Sequence, residues 1–363
     1  MGARFRVLDT GVREGRFNIA LDQAMIEARQ ASLIPDTLRF IRFPPTALVG
    51  RHQALAQEID LDYCRANGVG IARRITGGGA IYLDPGQLGW GMVFGRSTLG
   101  VTSLTDIASE ICEAVADGLG RLGVDARYRP RNDIEVDGRK ISGTGGFFDG
   151  DTLIYQGTVL VDMNPADMVA ALRVPQSKLA RHELDSAAQR VVTLRELLGP
   201  ATPGLEQIQR ALLEALSERL GIGWETGELG SNEIQLAQRC FDEEIGTDRF
   251  VAEIDDPARE SDFSSGTHTG PGGTVTTYLR LQGKHRNQVS QVLITGDFFV
   301  APPRTILDLE AALRGRLVDD VLVVLDEFFA QHSISALSVS PADFAASVAD
   351  ALESARVDQS PSE

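Results

Sequence analysis

Cysteine and histidine are scarce in this chain of 363 residues, and neither shows the spacing of a metal site. The three cysteines, Cys64, Cys112 and Cys240, are scattered without a CxxC motif. This pattern favours reduced thiols over a disulfide framework or a zinc site. The five histidines form no HxxxH or HExxH pair, so metal binding by protein side chains is not expected. The sequence predicts a protein of a reducing compartment.

Positive charge and long apolar runs are also lacking. The formal net charge is -16 and the sequence pI is about 4.8, which argues against a nucleic-acid-binding protein. No apolar run approaches the ~20 residues of a membrane helix, and the N-terminus has no apolar run of signal-peptide length. The expectation is a soluble, cytoplasmic, monomeric protein that binds neither nucleic acid nor membrane.

Hydrophobic periodicity predicts an α+β fold with a mixed or antiparallel sheet flanked by helices, because adjacent hairpin strands alternate with helices. Composition changes near Asp256, where a polar stretch over 256–273 predicts a mobile loop. We therefore expect a catalytic domain over 1–245, a small α+β accessory domain over 246–354 and a flexible tail over 355–363. The predicted helices begin near 18 and cover 61–66, 102–122, 203–220, 306–313 and 321–329; the predicted strands cover 37–43, 69–75, 80–83, 88–94, 133–136, 139–142, 153–161 and 289–294.

The most informative stretch is Arg73-Arg74-Ile75-Thr76-Gly77-Gly78-Gly79. Glycine lets backbone N–H groups approach a ligand closely, and arginine presents a cationic fork to carboxylate or phosphate oxygens. In an acidic chain this combination favours an anion site. The structural alternative is a turn between two strands, in which the glycines serve only the conformation of the backbone.

A second candidate site surrounds Lys140. Asp137-Gly138 suits a two-residue hairpin turn, and Lys140 begins the second arm, just before Ile141-Ser142-Gly143-Thr144-Gly145-Gly146. A lysine on a rigid hairpin can be aimed at a charge. The nearby arginines at 127, 129 and 131 are explained by a solvated cationic strip.

The order and spacing of three blocks resemble the lipoate–protein ligase family. The blocks are Gly50-Arg51-His52-Gln53, then Arg73 to Tyr82, and then Asn132-Asp133-Ile134 followed by Gly138-Arg139-Lys140-Ile141-Ser142-Gly143. Gln156-Gly157-Thr158-Val159-Leu160 falls where the family places its next strand. Ile294-Thr295-Gly296-Asp297-Phe298-Phe299 and the helices that follow resemble the family's accessory domain.

The resemblance implies an ATP-dependent ligase that converts lipoate to lipoyl-AMP and transfers the lipoyl group to a lysine of an apo lipoyl-carrier protein. Lys140 would be the catalytic residue that bridges carboxylate and phosphate oxygens, and Asp133 would orient metal-bound phosphates or the acceptor amine. Mg²⁺ would be held mainly by ATP. The implied lipoyl-AMP and ATP contacts are Arg51, Arg73, Arg74, Gly77, Gly78, Gly79, Ala80, Tyr82, Asn132, Asp133, Lys140, Ser142, Gly143, Gly157 and Thr158; the lipoyl tunnel would use Ile75, Ile81, Tyr82 and Val159.

Two alternatives remain beside the ligase. An octanoyltransferase of the same fold needs a thiolate near the lysine hairpin, and no cysteine occurs between Cys112 and Cys240. A non-catalytic carrier-binding protein would not need Lys140. The chain also departs from the family pattern at Ala54, at Leu83-Asp84 and at Pro85-Gly86-Gln87, which affects the rim of the predicted pocket. Because lipoyl domains are often acidic, an acidic ligase would need a local basic patch or a specialised carrier as its partner.

Overall fold

The structure is a computed structural model that describes residues 2–100, 103–130, 132–173, 189–260, 262–283, 285–302, 304–332, 335–336 and 339–357. Its strands are β1 (Arg4–Val12), β2 (Thr37–Arg42), β3 (Thr46–Val49), β4 (Gly70–Arg73), β5 (Ile81–Leu83), β6 (Gln87–Gly95), β7 (Arg127–Arg129), β8 (Asp133–Val136), β9 (Arg139–Asp149), β10 (Thr152–Leu160), β11 (Gly223–Thr226), β12 (Ser264–Gly270), β13 (Gly273–Gln282), β14 (Gln288–Gly296), β15 (Val300–Ala301) and β16 (Ser335–Ala336). Its α-helices are α1 (Gly15–Gln30), α2 (Leu55–Glu58), α3 (Leu61–Ala66), α4 (Arg96–Leu99), α5 (Leu104–Gly120), α6 (Pro165–Ala171), α7 (Leu194–Leu198), α8 (Leu205–Leu220), α9 (Ser231–Cys240), α10 (Asp248–Val251), α11 (Thr305–Leu313), α12 (Val321–Gln331) and α13 (Pro341–Val357).

An eight-stranded mixed sheet forms the centre of the molecule, in the order β11-β1-β2-β6-β10-β9-β8-β7. The pairs of β1 with β11 and with β2 are parallel, and the other pairs are antiparallel. A small sheet, β4-β3-β5, lies beside it and leads into and out of the glycine-rich stretch. The predicted α+β class with a mixed sheet is confirmed.

Helices cover both faces of the large sheet because strand residues alternate between two hydrophobic cores. On one face, Leu38, Trp90 and Tyr155 pack with α5 and α8. On the other face, Ile41, Val93 and Ile154 pack with α1 and α9. This second face also carries glycines at positions 89, 91 and 145, which leave room between the sheet and α1 for a cavity.

The C-terminal unit, residues 264–357, has a core of its own between 275 and 355. The sheet β12-β13-β14 packs there against α11, α12 and α13. The predicted strand 289–294 and helices 306–313 and 321–329 are confirmed as β14, α11 and α12. Helix α13 continues to Val357, and Ala355 is buried in the core. Residues 358–363 of the predicted tail lie outside the described ranges.

The prediction of a loop over 256–273 is wrong, because Ser264–Gly270 forms β12 and Gly273 begins β13. Strand β12 has no large apolar residue, but it packs closely against α13. A Cβ on Gly266 would overlap the backbone of Ser347 and Ala351 in that helix. The first helix begins at Gly15 rather than near Asn18, since the Glu14 side chain accepts the N–H of Phe17 and caps it.

Candidate active site

A cavity of about 470 Å³ lies between α1, the glycine-bearing sheet face, the glycine-rich loop 74–80 and the C-terminal unit. Its wall is more apolar than polar, as in sites that bury a small molecule. Lys140, Asn132 and Asp133 line one part of it, and Ile19, Asp22 and Ile41 line another. The cavity therefore joins a charged region to a largely apolar one.

A β-bulge aims Lys140 into this cavity. Register between β8 and β9 shifts at Ile141, so Glu135 faces Lys140 while Ile134 faces Ser142. The extra residue turns the Lys140 side chain over Gly143, where a Cβ would lie 2.6 Å from Lys140 Nζ. Lys140 Nζ lies 2.6 Å from Asp133 Oδ1. The hairpin thus holds an ammonium and a carboxylate side by side at the cavity wall.

The glycine-rich loop is braced by its own arginine. Arg74 Nη2 donates to the carbonyl oxygens of Gly77 (3.0 Å) and Gly79 (2.8 Å). Burial lowers the pKa of Arg74 to about 10, which still leaves the guanidinium charged at neutral pH. Its Nε has no hydrogen-bond partner within the described structure.

Arg73 has a different environment from its neighbour. Its side chain is fully buried, and its nitrogens donate to carbonyl oxygens of residues 50–53 and 250–254. Arg51 forms a bidentate ion pair with Glu253. Neither arginine lines the cavity. Both join the loop 50–53 to the segment around α10.

The segment 296–299 of the C-terminal unit is seated on the glycine-rich loop. Gly78, at φ +90°, donates its N–H to the carbonyl oxygen of Phe298 at 2.9 Å. The Phe299 ring occupies the space in which Cβ atoms on Gly78 and Gly145 would stand. The Phe298 ring stacks on His52 with centroids 5.3 Å apart. Glycine is required at these positions because the accessory segment approaches the backbone so closely.

The pKa values of two acidic groups at this contact are raised. Burial, with the nearby carboxylate of Asp297, raises the pKa of Glu58 to about 7. Burial also raises the pKa of Glu310 to about 7, although its carboxylate accepts the Ile294 N–H at 2.7 Å. Burial and the neighbouring arginines lower the pKa of His52 to about 3, so its imidazole is neutral at pH 7. We therefore expect the stability of the contact between the two parts of the chain to depend on pH.

A buried ion pair closes the apolar part of the cavity. Arg39, Gly91, Gln156 and Gly145 stand in one cross-strand row over β2, β6, β10 and β9. Arg39 Nη2 lies 2.8 Å from Asp22 Oδ1, and Gln156 Nε2 donates to Asp22 Oδ2 at 2.7 Å. Burial raises the pKa of Asp22 and the Arg39 charge opposes that rise. We take the pair as ionised, since the two groups are in direct contact.

The cysteines lie away from the cavity wall. Cys64 and Cys112 are buried, Cys240 is partly buried, and none lines the cavity. Cys112 Sγ is 3.3 Å from the hydroxyls of Thr144 and Tyr155, on the α5 side of the sheet. Burial raises the pKa of all three thiols, to about 11 for Cys64 and Cys240. None has the low thiol pKa of a nucleophilic cysteine.

Most of the predicted site residues meet at this cavity. Those that line it are Arg74, Gly77, Gly79, Ala80, Tyr82, Asn132, Asp133, Lys140, Gly143, Gly157 and Thr158; those that do not are Arg51, Arg73, Gly78 and Ser142. Of the predicted tunnel residues, Ile81 and Tyr82 line the cavity, whereas Ile75 and Val159 are outside its wall.

Sequence reasoning did not predict as site residues the side chains that α1, β2, β10 and the C-terminal unit contribute to the cavity, namely Asp22, Ile41, Gln156, Asp297 and Phe299. One signal was present: Gly89 and Gly91 alternate with Leu88, Trp90 and Met92 in β6. A strand with glycine on one face and large apolar residues on the other indicates a cavity on the glycine side.

Comparison with known proteins assigns the chain to a family of acyl-activating and acyl-transferring proteins. A sequence model described as the lipoyl protein ligase A/B catalytic domain matches residues 14–217, and the chain belongs to this family. It is 30% identical over 261 residues to octanoyltransferase LipM of Kyrpidia tusciae, covering 65% of this chain and 94% of that protein. It is 29% identical over 245 residues to lipoate-protein ligase A subunit 1 of Thermoplasma acidophilum, covering 65% and 91%.

Solved structures agree with this assignment. A lipoate-protein ligase A bound with ATP superimposes with a TM-score of 0.60 at 28% identity, covering 70% of this chain and 100% of the other. A bi-partite lipoate protein ligase from T. acidophilum, described with its E2 lipoyl domain, gives 0.61 at 28% identity, covering 69% and 97%. P. falciparum LipL1, in complex with lipoate, gives 0.68 over 92% of this chain and 95% of its own at 15% identity. The last likeness shows that the fold extends through the C-terminal unit.

Proposed function

We propose that this protein is an ATP-dependent lipoate–protein ligase. The observation that carries the proposal is Lys140, which a β-bulge turns over Gly143 into a cavity; among the described residues of its wall there is no thiol. The related ligases include one solved with ATP and one with lipoic acid. The substrates would be ATP, as its magnesium complex, and lipoate.

The arrangement of charges suits adenylate formation. A lipoate carboxylate oxygen would attack the α-phosphorus of ATP, the bond to the bridging oxygen would break, and pyrophosphate would leave. Negative charge concentrates on oxygens in this step, and fixed cations are the natural stabilisers. Lys140 would contact carboxylate and phosphate oxygens, and Arg74 would hold the glycine-rich loop beside them. Mg²⁺ would be held mainly by the phosphates, with Asp133 as the carboxylate within reach.

The second step needs an amine from a partner. A lysine amine of an apo lipoyl-carrier protein would attack the lipoyl carbonyl, lose a proton and displace AMP. A lipoyl domain is the partner class that the T. acidophilum relative suggests. Because the chain has a net charge of -16, an acidic carrier would have to meet a local cationic region. The candidate region is the Lys140 hairpin, where the exposed Arg129 and the half-exposed Arg139 are paired with Glu135 and Glu196, so an acidic carrier would have to compete with these two carboxylates.

An octanoyltransferase is the second candidate, favoured by the similarity to LipM. That reaction passes the acyl group through a thiolate. In this chain burial raises the pKa of each thiol, and the three cysteines lie outside the cavity wall. The chemistry of the described site therefore supports the ligase over the transferase.

None of the helices in the described ranges has the length and apolar content to cross a membrane.

The deciding experiment measures lipoate-dependent pyrophosphate release from Mg-ATP. We expect release by the natural protein and a fall of about 10²–10³-fold in kcat for Lys140→Ala, the typical effect of removing one fixed stabiliser of a transition-state oxyanion. Arg139→Ala is the matched control, because Arg139 directly precedes Lys140 on the same hairpin, pairs with Glu196 and does not line the cavity. It should retain release within a few-fold.

Acyl transfer from an octanoyl carrier protein, without ATP and abolished in Cys112→Ala, would overturn the ligase proposal in favour of the transferase. Carrier binding without either reaction would favour a non-catalytic protein of the same fold. Mass spectrometry of the carrier distinguishes these results, since only acylation changes the carrier's mass.

A further inference from the structure

One row of residues crosses the large sheet along the cavity wall, from the Lys140 hairpin to β2. Thr158 of β10 pairs with Gly89 of β6, and Gly89 pairs in turn with Ile41 of β2. The antiparallel register of β10 and β9, continued by one residue, places Gly143 opposite Thr158. All four residues line the cavity, and cross-strand neighbours share one face of a sheet. The row therefore forms a floor that leads away from the Lys140 ammonium.

Gly89 leaves a gap in this floor that the packing of the protein does not require. By contrast, a Cβ on Gly157 would lie 2.4 Å from the Trp90 ring, so glycine is needed there. The nearest heavy atom to a Cβ on Gly89 would be the Ile41 carbonyl oxygen at 3.1 Å, and the next two also belong to Ile41. Glycine weakens the interior of a strand and often marks the close approach of a ligand. The space over Gly89 belongs to the cavity.

The gap lies at the distance that the ring of lipoate would reach. From Gly143, under Lys140, to Gly89 the row crosses two strand spacings, or roughly 10 Å. A hydrogen bond of ~3 Å would join the ammonium to a carboxylate oxygen. The chain from the carboxyl carbon to C6 extends roughly 6 Å, at about 1.2 Å a bond. C6, where the dithiolane ring begins, would therefore lie over Gly89, and C3 would lie near Thr158.

The surroundings of the gap suit a group that donates no hydrogen bond. Ile19 and Ile41 line this part of the cavity. The Asp22 carboxylate also lines it, but both of its oxygens are paired within the protein. Arg39 Nη2 lies 2.8 Å from Oδ1, and Gln156 Nε2 donates to Oδ2 at 2.7 Å. The carboxylate therefore needs no donor from a ligand.

We propose that Gly89 is a specificity-determining residue that admits acyl chains broadened near C6, as the dithiolane ring broadens lipoate. This inference rests on the proposed function, because it assumes an acyl substrate with its carboxylate at Lys140. A straight chain such as octanoate would enter the same groove but leave the space over Gly89 unfilled. The contacts that a filled space provides are then lost. Thr158, one strand nearer to Lys140, would leave less room for a branch near C3.

The test measures binding of free acids by titration calorimetry, in the absence of ATP. The probes are octanoate, oxidised lipoate, 6-methyloctanoate and 3-methyloctanoate. We expect the natural chain to bind lipoate and 6-methyloctanoate more tightly than octanoate. It should bind 3-methyloctanoate about tenfold more weakly than 6-methyloctanoate, since a misplaced methyl group in an apolar pocket costs at least that factor.

Gly89→Ala places a methyl group where the ring would lie. We expect its affinity for lipoate and for 6-methyloctanoate to fall about tenfold or more, while octanoate binding changes by no more than a few-fold. Retained octanoate binding also shows that the variant is folded. Gly223→Ala is the matched control, because Gly223 is a strand glycine of β11 with nothing within 4 Å of a Cβ. It should keep the order of affinities of the natural chain.

An equal loss of lipoate and octanoate binding in a folded Gly89→Ala variant would overturn the inference, and so would failure of every acid to bind the natural chain. If circular dichroism shows that the variant does not fold, the two methyloctanoates decide on the natural chain, and equal affinity for them would contradict the proposed position of C6. A preference that depends on Gly89, in a protein that releases no pyrophosphate, would contradict the ligase while supporting the specificity site.

Discussion

Two buried arginines illustrate how differently a charge can be accommodated in this chain. Arg73 donates to backbone carbonyls throughout its guanidinium. Arg39 is also buried, but its Nε and Nη1 have no hydrogen-bond partner within the described structure. Its Nη2 lies 2.8 Å from Asp22 Oδ1 and donates to the Asn18 carbonyl oxygen at 3.1 Å. Burial lowers the pKa of Arg39 and the Asp22 carboxylate opposes that change. The Asp22 pair is therefore the more fragile of the two arrangements.

We predict that Arg39→Met will lower the free energy of unfolding by about 3–5 kcal/mol, because removal of one partner leaves the other charge buried and unpaired. Adding Asp22→Leu should restore part of the loss. Urea denaturation followed by circular dichroism measures both effects. Arg127→Met is the control, since the Arg127 pair with Asp125 is exposed and solvent screens such pairs, so its loss should leave stability nearly unchanged. A double variant less stable than Arg39→Met would contradict the argument.

Among individual residues, the sequence predicted the charged residues of the Lys140 hairpin and of the glycine-rich loop, but not the buried pair of Asp22 and Arg39. Lys140 and Arg74 stand beside glycines in recognisable blocks, and both line the cavity. Asp22 lies in an amphipathic helix and Arg39 in a strand, where a charge ordinarily faces water. Their meeting depends on the packing of α1 over β2, which no local pattern encodes.

The bulge in β9 is the element that directs Lys140. It allows residues 140 and 143 to share one face, and the absence of a side chain at Gly143 leaves space for the lysine stem. Because the bulge and the glycine act together, the direction of Lys140 depends on a residue with no chemistry of its own.

We predict that Gly143→Ala will displace Lys140 and reduce the rate of pyrophosphate release at least about tenfold, with little change in stability. The new methyl group would lie 2.6 Å from Lys140 Cε and Nζ, and the flexible end of the lysine would give way rather than the sheet. Activity and the melting temperature are measured on the same samples. Gly120→Ala is the control, because nothing lies within 4 Å of a Cβ there. Unchanged activity in Gly143→Ala would show that the position of Lys140 does not limit the reaction.

Elements with large apolar residues were predictable, and elements without them were not. Helix α5 carries Ile107, Ile111, Val115 and Leu119 on its buried face, and its sequence period predicts it. Strand β12 has the sequence SSGTHTG, so it offers no apolar alternation. It is held by backbone pairing with β13 and by the close approach of α13 to Gly266. The predicted boundary at 245/246 remains a prediction.

On the scale of the whole molecule, the C-terminal unit is joined to the rest by a contact rich in acidic groups. Glu58, Asp297 and Glu310 lie in it, together with Arg51 and its partner Glu253. The two raised pKa values mean that the folded chain binds protons there more tightly than an unfolded chain would. Such a contact weakens as pH rises.

We predict that thermal stability will fall between about pH 4.5 and 7 and that Glu58→Gln with Glu310→Gln will flatten this fall. An acid whose pKa is raised from 4.5 to about 7 in the folded state loses its favourable contribution as pH rises through 7. His52 acts in the opposite direction below about pH 6.5, because its pKa is lowered. Melting temperatures across the pH range test this, and an equally steep fall in the double variant would contradict it.

The hydrogen bond from the Gly78 N–H to the Phe298 carbonyl oxygen has a consequence for isotope exchange. The amide hydrogen of Gly78, in the glycine-rich loop, is protected from exchange only while a segment more than two hundred residues away in the chain rests on it. The rate at which this hydrogen exchanges with deuterium therefore reports how often the two parts of the molecule separate. A ligand that moves the C-terminal unit away from the loop would accelerate exchange at Gly78, and a ligand that holds the unit on the loop would slow it. The exchange rate of one peptide that contains Gly78 would therefore show whether a molecule bound in the cavity separates the two parts or holds them together.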